Sequence, residues 1–585
     1  MLVDDERASK YDHDLARWAA AQPDLEITHL IVHAPAVRPT SRLAKLAALM
    51  RTRGLGFLAG RALFGLVVRA ERIVLDRRAI HRGHFAKIPI GELVERKIRI
   101  RPQVSKSGFT YRFSNEDVER VRALKLDLLI RCGSGILRGE ILCAARLGVI
   151  SFHHGDNRVN RGGPAGFWEA YFGWPKTGFI IQRLTEELDG GEVLARGAFP
   201  TQWLFSLNQA HLFAKANVHL KSILKRIAAN GELPEAEPSF PYSGRLYKVP
   251  TLEQGLIYCA RVGARLAARA ARRVSGARQR WGLAFVEKNW RGSVLRRAWS
   301  PKLPKGRFWA DPFLVERDGK RLCFVEDFGY ATGRGHITAL EVGKSGVAEI
   351  GAALVEPFHL SFPFLFEYAG ELYMCPESAQ ARQIRIYRCT GFPLLWELAV
   401  VAMHDVSAAD TMLFERDQKW WMLTNIDQSG TGDHCSELYL FFADSPLAAS
   451  WTPHPQNPIL IDPERARNGG LIIEAEKIFR VGQRQGFDRY GAGLSIFEIA
   501  ELSPQIYREE IVAEILPDFR AGLLGVHHLS TAGSLTVVDQ ASYGFVGETL
   551  LAERLSATLR TAKCAGQSRA VRREESPGFT GQRAG

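Results

Sequence analysis

Residues 147–194 read LGVISFHHGDNRVNRGGPAGFWEAYFGWPKTGFIIQRLTEELDGGEVL. The run opens on a β-type stretch, residues 148–152, that delivers His153 at its carboxyl end. It passes through the turn Arg161-Gly162-Gly163 and closes on Leu188-Asp189-Gly190-Gly191. A histidine at a strand end and an aspartate in a glycine-rich turn are placed to meet at one reactive centre. Alone, the histidine reads as a core group and the aspartate as a turn residue. Their spacing with Arg161-Gly162 and Thr177-Gly178 is what makes the stretch specific.

Working outward toward the N-terminus, Met1-Leu2-Val3 reads as the tail of a strand, either cut short or naturally brief. A helix over residues 10–21, strands at 27–33 and 97–100, a helix at 115–124 capped by Asn115, and a buried strand at 126–131 give the alternation of a parallel α/β sheet. Residues 38–78, basic and apolar at helical spacing, read as a helical insertion. The turn Cys132-Gly133-Ser134-Gly135-Ile136-Leu137 has glycines that let backbone approach a flat ring, and a helix expected from Arg138 would offer free N–H groups. An ordinary strand-to-helix turn is the other reading.

The 585 residues exceed one core and predict three to four units of ordinary size, with 46% hydrophobic and 10% aromatic residues to fill them. Eight cysteines without a C-x-x-C pair indicate neither a zinc site nor a disulfide framework, and no metal is expected. A reducing cytoplasm fits, with no charged-then-apolar leader pattern at the N-terminus. The most apolar stretch, residues 56–68, carries Arg61 and is too short to span a bilayer. The net charge of +14 suits nucleic acid, an anionic membrane or a phosphate-bearing substrate alike.

The ordered set His153, Arg161-Gly162, Thr177-Gly178 and Leu188-Asp189-Gly190-Gly191 resembles the formyltransferases that use 10-formyltetrahydrofolate. The resemblance implies a Rossmann-like domain, with Gly133, Ser134, Gly135, Ile136 and Leu137 holding the cofactor through main-chain groups. It implies His153 stabilising an oxyanion, Asp189 orienting the imidazole or a water, and an amine of the acceptor attacking the formyl carbon. The family's asparagine is Ser151 here, and losing one oxyanion donor costs about a hundred- to a thousand-fold in rate. Asn157 and Asn160 are candidates to replace it, and His154 reads as packing.

After residue 204 a closing helix and a Pro-rich stretch lead to residues 252–281, where arginines 261, 265, 269, 272 and 273 share a helical face and no acid occurs between Glu253 and Glu287. This stripe reads as a solvated linker face or as a peripheral membrane contact; nucleic acid is disfavoured for want of interleaved aromatics. Beyond it a loose repeat starts at Asp311, Phe362, Asp410, Gly470 and His527, with steps of 51, 48, 60 and 57 residues. That is blade-like spacing. This half resembles the five-bladed propellers of arabinanase- and invertase-type glycoside hydrolases and the N-terminal propeller of plant glucosamine inositolphosphorylceramide transferases. Ala310-Asp311-Pro312 matches the hydrolases' first-blade carboxylate motif, and Asp311 with Glu326, Glu377 or Asp410 would form the carboxylate pair that glycoside hydrolysis requires. Asp311, Asp410, Asn468 and His527 are the candidates for its central funnel.

The expected fold is multidomain, α/β plus all-β: a Rossmann-like formyltransferase domain over 1–203, a closing helix and connector over 204–250, a basic linker helix over 251–281, a five-bladed β-propeller over 282–556 and a disordered tail over 557–585. The expected function is N-formylation of an amino sugar of a cell-envelope glycan, nucleotide- or lipid-linked, in the cytoplasm or at the inner face of the membrane, with the propeller recognising carbohydrate. The alternatives are a glycan-binding protein with a degenerate transferase domain, and a hydrolase or glycosyltransferase working from the propeller.

Overall fold

The computed structural model describes residues 1–33, 42–78, 81–105, 108–187, 190–239, 241, 244–343 and 346–545. Asp189 and the expected tail lie outside the described residues. The first half is built on a seven-stranded sheet of β1 (Leu2–Val3), β2 (His29–His33), β3 (Arg96–Ile100), β4 (Leu129–Cys132), β5 (Val149–His153), β6 (Lys176–Arg183) and β7 (Glu192–Pro200), in the spatial order β3-β2-β1-β4-β5-β6-β7. The first five strands are parallel; β6 and β7 run antiparallel to their neighbours. The two-residue β1 suffices because Leu2 and Val3 are fully buried between β2 and β4.

Six helices accompany the sheet among the described residues: α1 (Lys10–Ala20), α2 (Arg42–Asp76), α3 (Asn115–Arg122), α4 (Phe167–Phe172), α5 (Phe205–Asn230) and α6 (Leu252–Ser275). α1 starts on a reciprocal cap between Ser9 and Asp12. Ser114, one residue before the expected Asn115, caps α3 by accepting from the Asp117 N–H at 3.2 Å. The helix expected from Arg138 is a single 3₁₀ turn, Glu140–Cys143, because Gly139 at φ 84° breaks the entry. α2 is interrupted at Gly54, where φ is 78°. Gly60 in α2 allows close crossing of α6, since a Cβ there would stand 2.7 Å from the Leu252 nitrogen.

α5 is buried along nearly its whole length because it is covered on both sides, by the sheet and by the second half of the chain. On that second side the ammonium of the fully buried Lys215 lies 3.0 Å from Asp433 and 2.6 Å from Glu437, and His219 lies 3.3 Å from the other Glu437 oxygen. Lys176 adds pairs to Asp462 and Glu464 at 2.9 and 2.8 Å.

The second half is a five-bladed propeller. Blade one comprises Arg307–Arg317, Lys320–Gly329, Arg334–Gly343 and Gly346–Leu354; blade two runs from Ser361–Tyr368 to Leu395–His404. Blade three runs from Ala408–Arg416 outward through Glu437–Ala443, and blade four from Asn468–Glu474 to Tyr507–Ile515. Blade five joins Leu529–Ala532 and Leu535–Phe545 to Ala277–Val286, a strand from before blade one. Gly276, at φ 69°, ends α6 and turns the chain straight into that strand, so the propeller begins within the stretch expected to be linker helix. The innermost strands neighbour one another in a closed ring. Four of them carry a bulge at the same place, where Asp311, Phe362, Asp410 and Gly470 adopt positive φ.

The arginine stripe of α6 exists, and three of its arginines lean on protein rings. Arg261 stacks on Tyr171 and donates to its carbonyl, Arg265 stacks on Phe487, and Arg269 stacks on Trp203 while pairing with Asp488 at 2.7 Å. Cation–π contacts of Arg261, Arg265 and Arg269 thus join the two halves, while Arg273 is exposed.

Candidate functional site

Around His153 the structure describes Ser151, Asn157 and Asn160, whereas Asp189 lies outside the described residues. Ser151 lies on β5 and its hydroxyl donates to the Phe152 carbonyl at 3.1 Å. Asn157 accepts from Arg196 at 3.1 Å, and Asn160 donates to Glu169 at 2.9 Å. His153 ends β5 as expected, and burial pushes the adjacent His154, wedged between Phe152 and Phe213, down to about 3. Gly162 packs against the Tyr247 carbonyl so closely that a Cβ would stand 2.2 Å away, which gives the Arg-Gly turn a structural purpose.

The glycine turn after β4 is filled by its own protein. The Ser134 N–H donates to Asp4 at 2.8 Å, Arg131 bonds the Ser134 carbonyl and His33, and the Ile136 N–H donates to Phe109 at 2.7 Å. Ile136 and Leu137 form a short parallel strand with Thr110–Arg112, and the Tyr111 ring fills the space beside Gly135 and Asp4 that beside Gly133. The N–H groups of Ser134 and Ile136 are thus engaged within the protein.

The concentration of functional groups lies instead in the propeller funnel. Asp311, at the bulge of blade one, approaches His527 Nε2 at 3.1 Å, while His527 Nδ1 lies 2.6 Å from Asp539. Burial opposes the charge on His527, but Asp539 and Asp311 outweigh it and carry the imidazole up to about 10. Burial likewise acts to raise Asp311, yet His527, His528 and Arg467 prevail and hold it at about 2. The other oxygen of Asp311 accepts the Phe362 N–H at 3.2 Å, locking blade one to blade two. Trp281 covers the His527 ring with centroids 3.9 Å apart.

Across the funnel, Arg467 clasps Asp410 with contacts of 2.7 and 3.3 Å and reaches Glu377 at 3.5 Å. Burial and then the charge of Asp410 push Glu377 up to about 8 against the pull of Arg467. Burial, followed by Asp311, also raises Glu326 well above the carboxylate range. At neutral pH the funnel therefore pairs an ionised Asp311 with protonated Glu377 and Glu326. Asn468 is a strut: its amide donates to the Asp410 and Leu423 carbonyls at 2.8 and 3.3 Å. His528 is buried and neutral, lowered by burial to about 4, with its ring against Phe313 and Phe362. Asp311, His527 and Asp539 each offer a ligand atom within 4.8 Å of one another, which is compact enough for a cation, and His527 already bridges the two carboxylates.

Sequence reading placed Asp311, Asp410 and His527 in this funnel and weighed Glu326 and Glu377 as partners; it missed Asp539, Arg467 and Trp281. A periodic signal marks other groups of the centre. Glu326, Glu377, Asn425 and Gln483 each follow Asp311, Phe362, Asp410 and Asn468 by 15 residues, so the second strand of each of these blades contributes one polar group to the centre.

The family described as glucosamine inositolphosphorylceramide transferase 1, N-terminal, matches residues 299–522. Glucosamine inositolphosphorylceramide transferase 1 of Arabidopsis thaliana is 36% identical over 221 residues, which cover 37% of this chain and 28% of that protein. Its counterpart in Oryza sativa subsp. japonica is 35% identical over 247 residues, 40% of this chain and 33% of that protein. The chain thus spans about a third of the length of these relatives. Methionyl-tRNA formyltransferase of Bacillus subtilis (strain 168) is 34% identical over 82 residues, only 14% of this chain and 26% of that protein. These findings overturn formyl transfer as the activity and the formyltransferase fusion as the identity of the chain. The extended similarity is to transferases of another kind and includes the propeller, whereas the formyltransferase likeness covers 14% of the chain.

Proposed function

We propose that the chain handles a glycosyl unit in the propeller funnel and catalyses its transfer, the acceptor being a hydroxyl of a lipid-linked polyol. The observation that carries this reading is the convergence of Asp311, Glu326, Glu377, Asp410 and Asp539 around His527 and Arg467, with Asp311 held ionised and Glu377 held protonated. Glycosyl transfer needs that division of labour. Glu377 gives its proton to the departing oxygen as the bond to the anomeric carbon breaks, and its carboxylate then takes the proton of the acceptor hydroxyl as that oxygen bonds the carbon. Asp311, too weakly basic at about 2 to remove a proton efficiently, faces the positive charge that builds on the sugar ring. The names of the relatives support an amino sugar as the unit transferred and an inositol phosphate lipid as the acceptor.

A second reading is sugar recognition without turnover, favoured by the engagement of Asp311 with His527 and of Asp410 with Arg467. One experiment separates the two. The purified chain is given labelled nucleotide-activated amino sugars with an inositol phosphate lipid, beside Glu377→Gln and His153→Ala. Transfer that falls about a hundred-fold or more in Glu377→Gln and persists in His153→Ala supports the proposal. Saturable sugar binding that survives Glu377→Gln without any transfer favours recognition, and transfer that depends on His153 but not on Glu377 overturns the assignment to the funnel.

A further inference from the structure

α2 and α6 pack together and present their inner faces to one aromatic cluster, Phe167, Tyr171, Phe205 and Tyr258, through Phe64, Val67, Val68, Ile257 and Val262. Their opposite faces therefore point away from the protein. On α2 that outer face is Leu55, Ala59, Ala62, Leu66, Ala70 and Ile73, spaced at helical intervals and exposed, Leu55 by 71% and Leu66 by 67%. On α6 it is Leu256, Ala260, Gly263, Ala267 and Val274, with Val274 exposed by 90%. α6 is thus inverted: its arginines 261, 265 and 269 are laid against protein rings and its apolar side faces out. Two neighbouring apolar stripes of this length on a soluble surface call for a covering.

The charge around the stripes says which covering. No acidic residue occurs between Glu26 and Glu71 or between Glu253 and Glu287. Exposed Arg51 and Arg69 border the α2 stripe, exposed Arg61 and Arg72 lie further round the helix, and Arg273 and Arg278 border the end of α6. Glu71, within α2, is turned inward to Tyr258 and Ser206. A second copy of the same surface would bring like charges together, whereas an anionic bilayer satisfies both the apolar stripes and the arginine rim. No described helix is long and apolar enough to cross a membrane, so the pair would lie in the interface plane.

We propose that the outer face of α2 and α6 is a docking surface for an anionic lipid bilayer. The inference is independent of the chemistry of the funnel. The test is flotation of the full chain with phosphatidylcholine vesicles, with and without phosphatidylserine, beside Leu66→Glu, Ala267→Glu and the charge reversal Arg61→Glu/Arg69→Glu, each checked for unchanged circular dichroism and melting. The expected result is partitioning about tenfold or more stronger onto the phosphatidylserine vesicles, weakened by salt and lost in all three variants. Absence of flotation, or flotation that the variants leave unchanged, overturns the proposal. So does a dimer that Leu66→Glu or Ala267→Glu converts to a monomer while vesicles are ignored, which would assign the surface to a second copy.

Discussion

His527 is buried with a carboxylate beside each ring nitrogen, so its charge is tied to the fold. Its folded value, about 10, stands above that of a free imidazole, so the native state holds the proton more tightly than the unfolded chain. The stability this contributes is complete below pH about 6.5, declines as pH rises, and is gone above about 10. His527→Asn should cost about 3–5 kcal/mol at pH 6 by leaving Asp311 and Asp539 without their cation, and the gap to the unmodified chain should close toward pH 10 in urea titrations. A second expectation follows from Glu377: transfer activity should fall as pH passes about 8, where its proton is lost, and a pH–rate profile reads this directly. Asp311 and His527 were legible in the sequence because blade repetition marks the starts of inner strands. Arg467 was not, since it precedes Asn468 in a connection whose length differs from blade to blade, and no periodicity points to it.

At the scale of the element, the bulges of the inner strands govern what the funnel contains. Positive φ at Asp311 and Asp410 departs from the ordinary strand path just where their carboxylates meet His527 and Arg467. Blade four meets the same requirement with Gly470, at φ 134°, whose missing Cβ leaves room for the Leu529 carbonyl. Gly470→Ala would place a carbon 2.2 Å from that oxygen and should destabilise the propeller by about 2–4 kcal/mol, measurable as a lowered thermal midpoint. The alternating elements of the first half and the five repeats of the second were readable from hydrophobic period and turn residues. The direction of the α6 stripe was not. An arginine face reads as solvent-facing by composition, and only the rings of Tyr171, Phe487 and Trp203, distant in sequence, reverse it.

For the molecule as a whole, Lys215 is the strongest electrostatic link between the halves, a buried ammonium from α5 held by two carboxylates of blade three. Burial works against its charge, and Asp433 and Glu437 more than restore it. Replacing it by methionine leaves those acids buried without their cation, at a cost of about 3–5 kcal/mol. The halves of the unmodified chain should melt as one cooperative unit, and Lys215→Met should split calorimetric unfolding into two transitions.

The propeller closes by pairing Ala277–Val286 with Leu535–Phe545, strands separated by nearly the whole of that half. On the ribosome the first of these emerges long before its partner exists, joined through Gly276 to a helix that is already made. Blades one to four must be synthesised while that strand waits with an unpaired edge. Translation thus imposes an order: the α/β half can settle early, but the funnel acquires His527 and Asp539, and with them its charge balance, only when the last blade leaves the ribosome.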